Sequence, residues 1–482
     1  MRCCVFIPKA TGLPTSSAAA RQPKRSLHQV HRASLGECEV DNMPLEYSMF
    51  ATFIPSIINK VEQSLLAQEL QRIILSNVEL HHDLLVEATC APSAQGEFNY
   101  QRLEFLGDAA LNLFTTLNLT ARHLNWHEGL LTSEKGRLVS NANLSRAAMA
   151  RGLDRFIVTD IFTGAKSHPV TLDDIDARAD QVSETRAMST KTLADVIEAL
   201  IGAAAFDGGF PEVERCIQTL LNDEPWVSMI QGQSRLYEAA PVRTITSQFD
   251  TIECLVGHAF TKRSLLVEAL THPSYSPPRD DSTASYERLE FLGDAVLGQI
   301  VTTRLFAIQP QLSEMQMHIY QEAVVNGPLL GFLCLEHSIP ECQNIIATKS
   351  NDELNVVPTE VFKSIWQYMR HSDSQLVYDR RAITKRYDER RQEIGRALRH
   401  GTEYSWVALM HLDPTKYFSD LVENMVGAIY VDSKGDLPSC EQFLQRLGVC
   451  RFLSDWSATV STASIRRNVW VSSPVPKPLS IS

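Results

Sequence analysis

The chain has 482 residues, 44% hydrophobic and 21% charged, an ordinary balance for a globular protein with room for two or three domains. No run of about 18 apolar residues occurs, which excludes a membrane-crossing helix. The formal net charge of −12 argues against general polyanion binding, because phosphates are held by Lys and Arg, yet a centre that gathers cations must itself be acidic.

Taken in chain order, residues 1–36 hold six Lys/Arg and no acid before Glu37. The composition is similar to that of a mitochondrial targeting segment, but Pro8 and Pro14 interrupt any amphipathic helix, and 1–45 reads as a disordered basic segment. From about Glu46 a helical pattern begins, with Phe53, Ile54, Ile57, Ile58, Val61, Leu65, Leu66 and Leu70 at three- and four-residue steps. A first domain is expected over 46–222, led by this helix, then a connector at 223–250, a second domain at 251–453 and a disordered tail at 454–482. Long helical patterns dominate and β signals are short and isolated, so the expected fold is all-α. Ten cysteines show no C-x-x-C and no zinc-like spacing, which points to reduced thiols in an intracellular protein.

The two domains are copies. Leu84-Leu-Val-Glu-Ala88 returns as Leu265-Leu-Val-Glu-Ala269, 181 positions on. Tyr100-Gln-Arg-Leu-Glu-Phe-Leu-Gly-Asp108 returns as Tyr286-Glu-Arg-Leu-Glu-Phe-Leu-Gly-Asp294, 186 positions on, with eight of nine residues identical. A third block, Lys191 to Ala203 around Asp195 and Glu198, matches Lys416 to Ala428 around Asp420 and Glu423, now 225 positions apart. Ser276–Asp281 reads as a longer loop in the second copy, and an insert near 345–410 accounts for the remaining length. Within the insert, Arg380 to Arg399 holds eight Lys/Arg against three Asp/Glu and reads as a helix with a basic face, either solvated and ion-paired or facing RNA.

Each copy thus carries four acids: Glu104, Asp108, Asp195 and Glu198, then Glu290, Asp294, Asp420 and Glu423. Spacings of four and three put each pair on one helical face. An isolated pair of this kind is usually solvated surface, but recurrence in both blocks, in step with apolar positions, favours a built site. Four converging carboxylates repel unless cations lie between them, and oxygen donors without Cys or His favour Mg²⁺, with Mn²⁺ as a substitute, over zinc. Paired ions of this kind clamp a phosphodiester for hydrolysis. Lys191 and Lys416 stand one turn before Asp195 and Asp420, placed to approach a scissile phosphate or to orient a carboxylate.

The repeated nonapeptide resembles the signature of the ribonuclease III endonucleases. Leu265 to Tyr275, Glu128-Gly-Leu-Leu-Thr132 and Arg137-Leu-Val-Ser-Asn141 resemble its flanking segments. Two such domains in one chain are similar to Dicer and Drosha. Met188-Ser-Thr-Lys191, Phe162-Thr-Gly-Ala-Lys166 and the insert before Asp420 resemble Dicer-like proteins of filamentous fungi. The resemblance covers about residues 50–450. It implies two ribonuclease III-type helical domains forming an intramolecular pseudo-dimer, with the eight acids as metal ligands and catalytic groups. It also implies Mg²⁺-dependent cleavage of double-stranded RNA, one strand per domain, to short duplexes with 5′-phosphates and 3′ overhangs. RNA silencing and antiviral defence would be the setting, in the cytoplasm ahead of the nucleus or mitochondrion.

Some positions depart from the family pattern. Gln101 replaces a glutamate that Glu287 retains, Cys90 stands opposite His272, and Gln321 stands where the family often has Arg. No G-x-x-x-x-G-K-[ST] motif occurs, about 45 leading residues are too few for a PAZ domain, and the tail does not resemble an RNA-binding domain. Partner proteins supplying helicase, PAZ or RNA-binding modules are therefore expected, or the chain is a fragment of a longer product. The alternatives are a non-catalytic ribonuclease III-like RNA-binding or ribosome-associated protein, or an inactive truncated Dicer.

Overall fold

Apolar residues at three- and four-residue steps become helices almost wherever they occur in this chain, and the architecture follows from how those helices cross. The computed structural model describes residues 2–8, 38–94, 96, 98–159, 188–242, 249–276, 286–348, 354–400 and 404–450. Phe162–Lys166, the loop after Ser276 and the tail beyond 450 lie outside these residues. Contacts divide the chain into two units, 1–66 with 160–183, and 67–159 with 184–482.

In the first unit, strands β1 (Arg2–Pro8) and β2 (Cys38–Pro44) pair antiparallel from Arg2↔Pro44 to Pro8↔Cys38. Disorder was expected there. The basic composition behind that expectation comes mostly from Lys9 to Arg32, whereas Val5-Phe6-Ile7 are strong strand formers. Helix α1 (Leu45–Ile73) follows the anticipated pattern, but its apolar stripe at Phe50, Phe53, Ile57, Ile58 and Val61 is exposed. Burial becomes complete only from Ala67 and Leu70 onward.

The second unit holds both copies. The first comprises α2 (His82–Thr89), α3 (Gln101–Arg122), α4 (Glu128–Leu138), α5 (Asn141–Arg151), α6 (Thr190–Asp207) and α7 (Phe210–Leu220). Helix α8 (Met229–Ala239) follows. The second copy comprises α9 (Asp250–Val256), α10 (Arg263–Ala269), α11 (Glu287–Phe306), α12 (Glu314–Val325), α13 (Gly327–Glu336), α14 (Gln375–His400), α15 (Trp406–Leu412), α16 (Tyr417–Asp432) and α17 (Leu437–Leu447). Equivalent helices start on equivalent caps: Ser140 accepts from Asn143 N at 3.2 Å before α5, and Asn326 accepts from Leu329 N at 2.9 Å before α13. No described helix is long and apolar enough to cross a membrane.

The all-α pseudo-dimer is borne out: α3 and α11 pack against each other across the centre, with α4 crossing onto α11 and α12 onto α3. Phe291 of the second copy sits in a cluster with Leu119, Leu131 and Leu138 of the first, flanked by Trp126 and Trp226. In return Phe105 meets the His318 ring edge-on at 4.8 Å. Arg102 adds a polar link, donating to the Leu312 carbonyl and, at 3.1 Å, to that of Phe306, with its guanidinium 4.7 Å from the Phe306 ring. Burying each such aromatic contributes about 1.5–3 kcal/mol, which binds the copies into one body.

Two further expectations need amending. The segment read as a connector contains α8, whose Gly232 lies against Leu117 and Ala121 of α3. Asn118 fixes its approach by bonding the Val227 carbonyl (2.7 Å) and amide (2.8 Å). The insert is not helical throughout. It opens with the antiparallel hairpin β3 (Ser338–Thr348) and β4 (Leu354–Ser364), paired from Ser338↔Ser364 to Thr348↔Leu354. Ile345-Ile346 and Val356-Val357 flank turn-type residues there, and the ladder that unites them is a non-local contact. The basic helix is α14, buried along Leu376, Ile383, Tyr387, Ile394 and Leu398. Several of its cations serve packing: Arg386 bonds the Leu412 and Asp413 carbonyls, and Arg391 pairs with Glu336 at 2.8 Å.

Candidate active site

Glycines bring the acid-bearing helices together. A methyl group built at Gly107 of α3 would overlap the Glu198 carbonyl oxygen, and one at Gly202 of α6 would overlap that of Leu103. Gly293 against Glu423 and Gly427 against Leu289 repeat this for α11 and α16. The helices therefore cross backbone to backbone, and the acids that helical spacing puts on facing sides converge.

In the first site, Glu104, Asp195 and Glu198 offer oxygens all within 4.8 Å of one another. Lys191, in the first turn of α6 after the Ser189 cap, reaches Asp195 at 2.9 Å and Glu104 at 3.4 Å. The Tyr100 hydroxyl donates to Asp195 Oδ2 at 3.1 Å. The second site repeats the plan. Glu290, Asp420 and Glu423 converge within 4.8 Å, and Lys416 reaches Glu290 at 2.5 Å and Asp420 at 3.0 Å. The Tyr286 hydroxyl lies 3.5 Å from Asp420 Oδ2.

Six of the eight acids thus form two three-carboxylate clusters. Asp108 and Asp294 lie outside the 4.8 Å sets, one turn farther along α3 and α11, but close enough that their charges act on Glu198 and Glu423. Both are open to solvent at their tips, while protein on the remaining sides pushes their carboxyls above the ordinary range.

Burial followed by neighbouring negative charge sets the electrostatics. Burial, then Asp108, Glu104 and Asp195, push Glu198 up to about 8. Burial, then Asp294, Asp420 and Glu290, push Glu423 to about 9. Glu104 rises to about 7 and Asp420 to about 6, chiefly by burial, with Lys191 and Lys416 opposing. Burial pulls Lys191 down, but its bond to Asp195 and the Glu104 charge carry it above the usual lysine value. Uncompensated negative charge on hard oxygen donors is the environment a divalent cation fits.

Some functional positions had no assigned role in the sequence. Lys135 of α4 stands between the sites, its charge felt by both Asp108 and Asp294 and its ammonium 4.7 Å from the Phe291 ring. His318 faces Asp108 and pairs with Glu314 at 3.1 Å. Tyr100 and Tyr286 were legible as the first residues of the repeated nonapeptide. Lys135 and His318 reach across the domain interface, which no local spacing reveals. Gln321, the counterpart of Lys135 at the 186-residue offset, bonds Thr302 at 3.1 Å instead. Cys90 is buried, and His272 packs on Tyr286 at 5.7 Å, each within its own domain.

The ribonuclease III domain family model matches residues 101–209 and 287–434, the segments that hold the two clusters. The chain belongs to the ribonuclease III family. It is 41% identical over 417 residues to Dicer-like protein 2 of Phaeosphaeria nodorum, covering 86% of this chain and 29% of the relative. It is 37% identical over 462 residues to Dicer-like protein 2-1 of Aspergillus niger, covering 93% of this chain and 32% of that one. The chain therefore spans about a third of the length of the curated relatives it matches. Among solved structures it aligns with Dicer from Giardia intestinalis over 73% of this chain and 54% of that one, at 13% identity and a TM-score of 0.33.

Proposed function

We propose that this ribonuclease III pair is a Mg²⁺-dependent endoribonuclease that cuts double-stranded RNA, each domain cutting one strand. The observation that carries the reading is the duplicated cluster: three converging carboxylates beside a lysine, built twice on glycine crossings in a single body. Glu104, Asp108, Asp195 and Glu198 hold the cations of the first site, and Glu290, Asp294, Asp420 and Glu423 those of the second. When bound, a divalent pair supplies Lewis-acid charge for in-line attack of water on the phosphodiester.

The surrounding side chains have defined tasks. Tyr100 and Tyr286 orient the Asp195 and Asp420 carboxylates. Lys191 and Lys416 stay protonated at neutral pH, hold the acids in register before substrate arrives, and present a cation to the phosphate. The substrate is gripped by shape, phosphate and 2′-hydroxyl rather than by base identity. Products are short duplexes with 5′-phosphates and 3′ overhangs, made for RNA silencing and antiviral defence inside the cell, in the cytoplasm.

Single substitutions test this. Asp108→Asn alone and Asp294→Asn alone are each expected to leave nicked duplex, cut on opposite strands, in denaturing gels of end-labelled RNA with Mg²⁺. Double-strand cutting by either variant would disprove one site per strand. Duplex binding without any cleavage by the unaltered chain would favour a non-catalytic RNA-binding role.

A further inference from the structure

Pseudo-two-fold symmetry leaves one groove filled and its mate open. Helix α8 fills the first: Gly232 lies on Leu117 and Ala121, Gln233 donates to the Tyr430 hydroxyl at 3.1 Å and abuts Gly435, and the Lys434 ammonium sits 4.6 Å from the Tyr237 ring. At the 186-residue offset, Leu117 and Ala121 correspond to Thr303 and Ala307. At the 225-residue offset, Tyr430, Lys434 and Gly435 correspond to Ala205, Gly209 and Phe210. All five counterparts line one open cleft of about 890 Å³.

This cleft has the chemistry of an unfilled interface. Phe98 and Phe206 stand on its wall, 61% and 59% exposed. Gln299 is 4% exposed, and its Oε1 has no hydrogen-bond partner among the described residues. Glu87 also lines it; its counterpart Glu268 accepts from Arg288 at 2.9 Å, whereas Arg102 turns away to the Phe306 and Leu312 carbonyls. An occupant should be apolar on one face and carry hydrogen-bond donors.

We propose that residues 456–467 of this chain dock there as a helix, the counterpart of α8. In the first copy α7 ends at Leu220 and α8 begins nine positions later at Met229; in the second, α17 ends at Leu447 and the ninth position on is Trp456. The same reach of chain delivers Trp456 to the mouth of the cleft. Trp456, Val460, Ala463 and Arg467 fall at i, i+4, i+7 and i+11, on one helical face. Volumes also match. Gly232 faces Leu117 in the filled groove, and Thr459 would face the smaller Thr303 in its mate. Charge agrees too. The carboxyl end of α8 lies at the start of α10, where Lys262 donates to the Ala240 carbonyl at 2.8 Å. The matching end of the docked segment brings Arg466 and Arg467 to α2, beside Glu87 and the exposed Asp83.

Disulfide trapping in the full chain tests this. A Cβ at Gly232 would lie 3.6 Å from that of Ala121, within the span of a disulfide, about 3.5–4.5 Å. The pair Ala307→Cys with Thr459→Cys should therefore close within one chain, identified by peptide mapping under non-reducing conditions. Closure should be about tenfold faster than for Ala307→Cys with Ser461→Cys, on the opposite helical face, and should fall when Trp456→Ala is added. Ala307 is exposed, so the cysteine itself does not disturb packing. Equal closure of both pairs, or of neither, overturns the proposal. Closure only between chains would assign the cleft to a second copy and overturn it as well.

Discussion

Gly107 meets the carbonyl oxygen of Glu198 with no room for a methyl group between them. The contact sets how near α3 and α6 approach, and so whether Glu104 can face Asp195 and Glu198. Gly107→Ala is expected to cost about 1–3 kcal/mol, as overpacking does, and to abolish cutting by the first site while the second still nicks. Gly136 is the control: it lies within α4 with open space at its Cβ position. Gly136→Ala should stabilise by about 0.5–1 kcal/mol. Urea melts with strand-specific cleavage assays separate the two outcomes.

The acid clusters make stability depend on pH in a defined direction. Glu104, Glu198, Asp420 and Glu423 rise on folding to about 7, 8, 6 and 9, from ordinary carboxylate values. Above the unfolded values the cation-free folded state holds more protons than the unfolded chain, so stability falls as pH climbs through the folded values. Melting temperature in EDTA should decline steadily from about pH 5 to pH 9, and Mg²⁺ or Mn²⁺ should restore it most at the alkaline end, where deprotonated ligands bind best. A flat profile in EDTA would contradict this assignment of buried charge.

Lys135 serves two sites at once. Its charge opposes those of both Asp108 and Asp294, which belong to different copies. Lys135→Met should slow cutting of both strands by about tenfold, the scale on which a positioned charge acts, with little change in duplex affinity. Gln321→Ala, at the pseudo-symmetric position, should change either rate by less than about twofold, because only its bond to Thr302 is lost. Loss of one strand cut alone in Lys135→Met would refute the shared role.

Phe291 tests whether the copies are one cooperative body. It is 6% exposed, although the cluster around it belongs to the other copy. Phe291→Ala should cost about 3–5 kcal/mol. If the interface holds the copies together, calorimetry should then resolve two transitions where the unaltered chain shows one.

The sequence alone determined what depends on neighbours along the chain. Helical spacing was enough to pair Glu104 with Asp108 and Asp195 with Glu198, and to set Lys191 one turn before Asp195. Repetition was enough to predict a second site of the same make and an all-α pseudo-dimer. What required the tertiary structure was every contact between distant segments. Only the glycine crossings show that Glu104, Asp195 and Glu198 converge within 4.8 Å while Asp108 stands apart. Only the domain interface puts Lys135 between the sites, turns the supposed connector into packed α8, and leaves its symmetry mate open. The β3–β4 hairpin was missed for the same reason: its ladder unites residues that local periodicity reads one at a time. Helix periodicity is a property of a few consecutive residues, whereas burial and charge are settled by whichever surfaces the folded chain presses together.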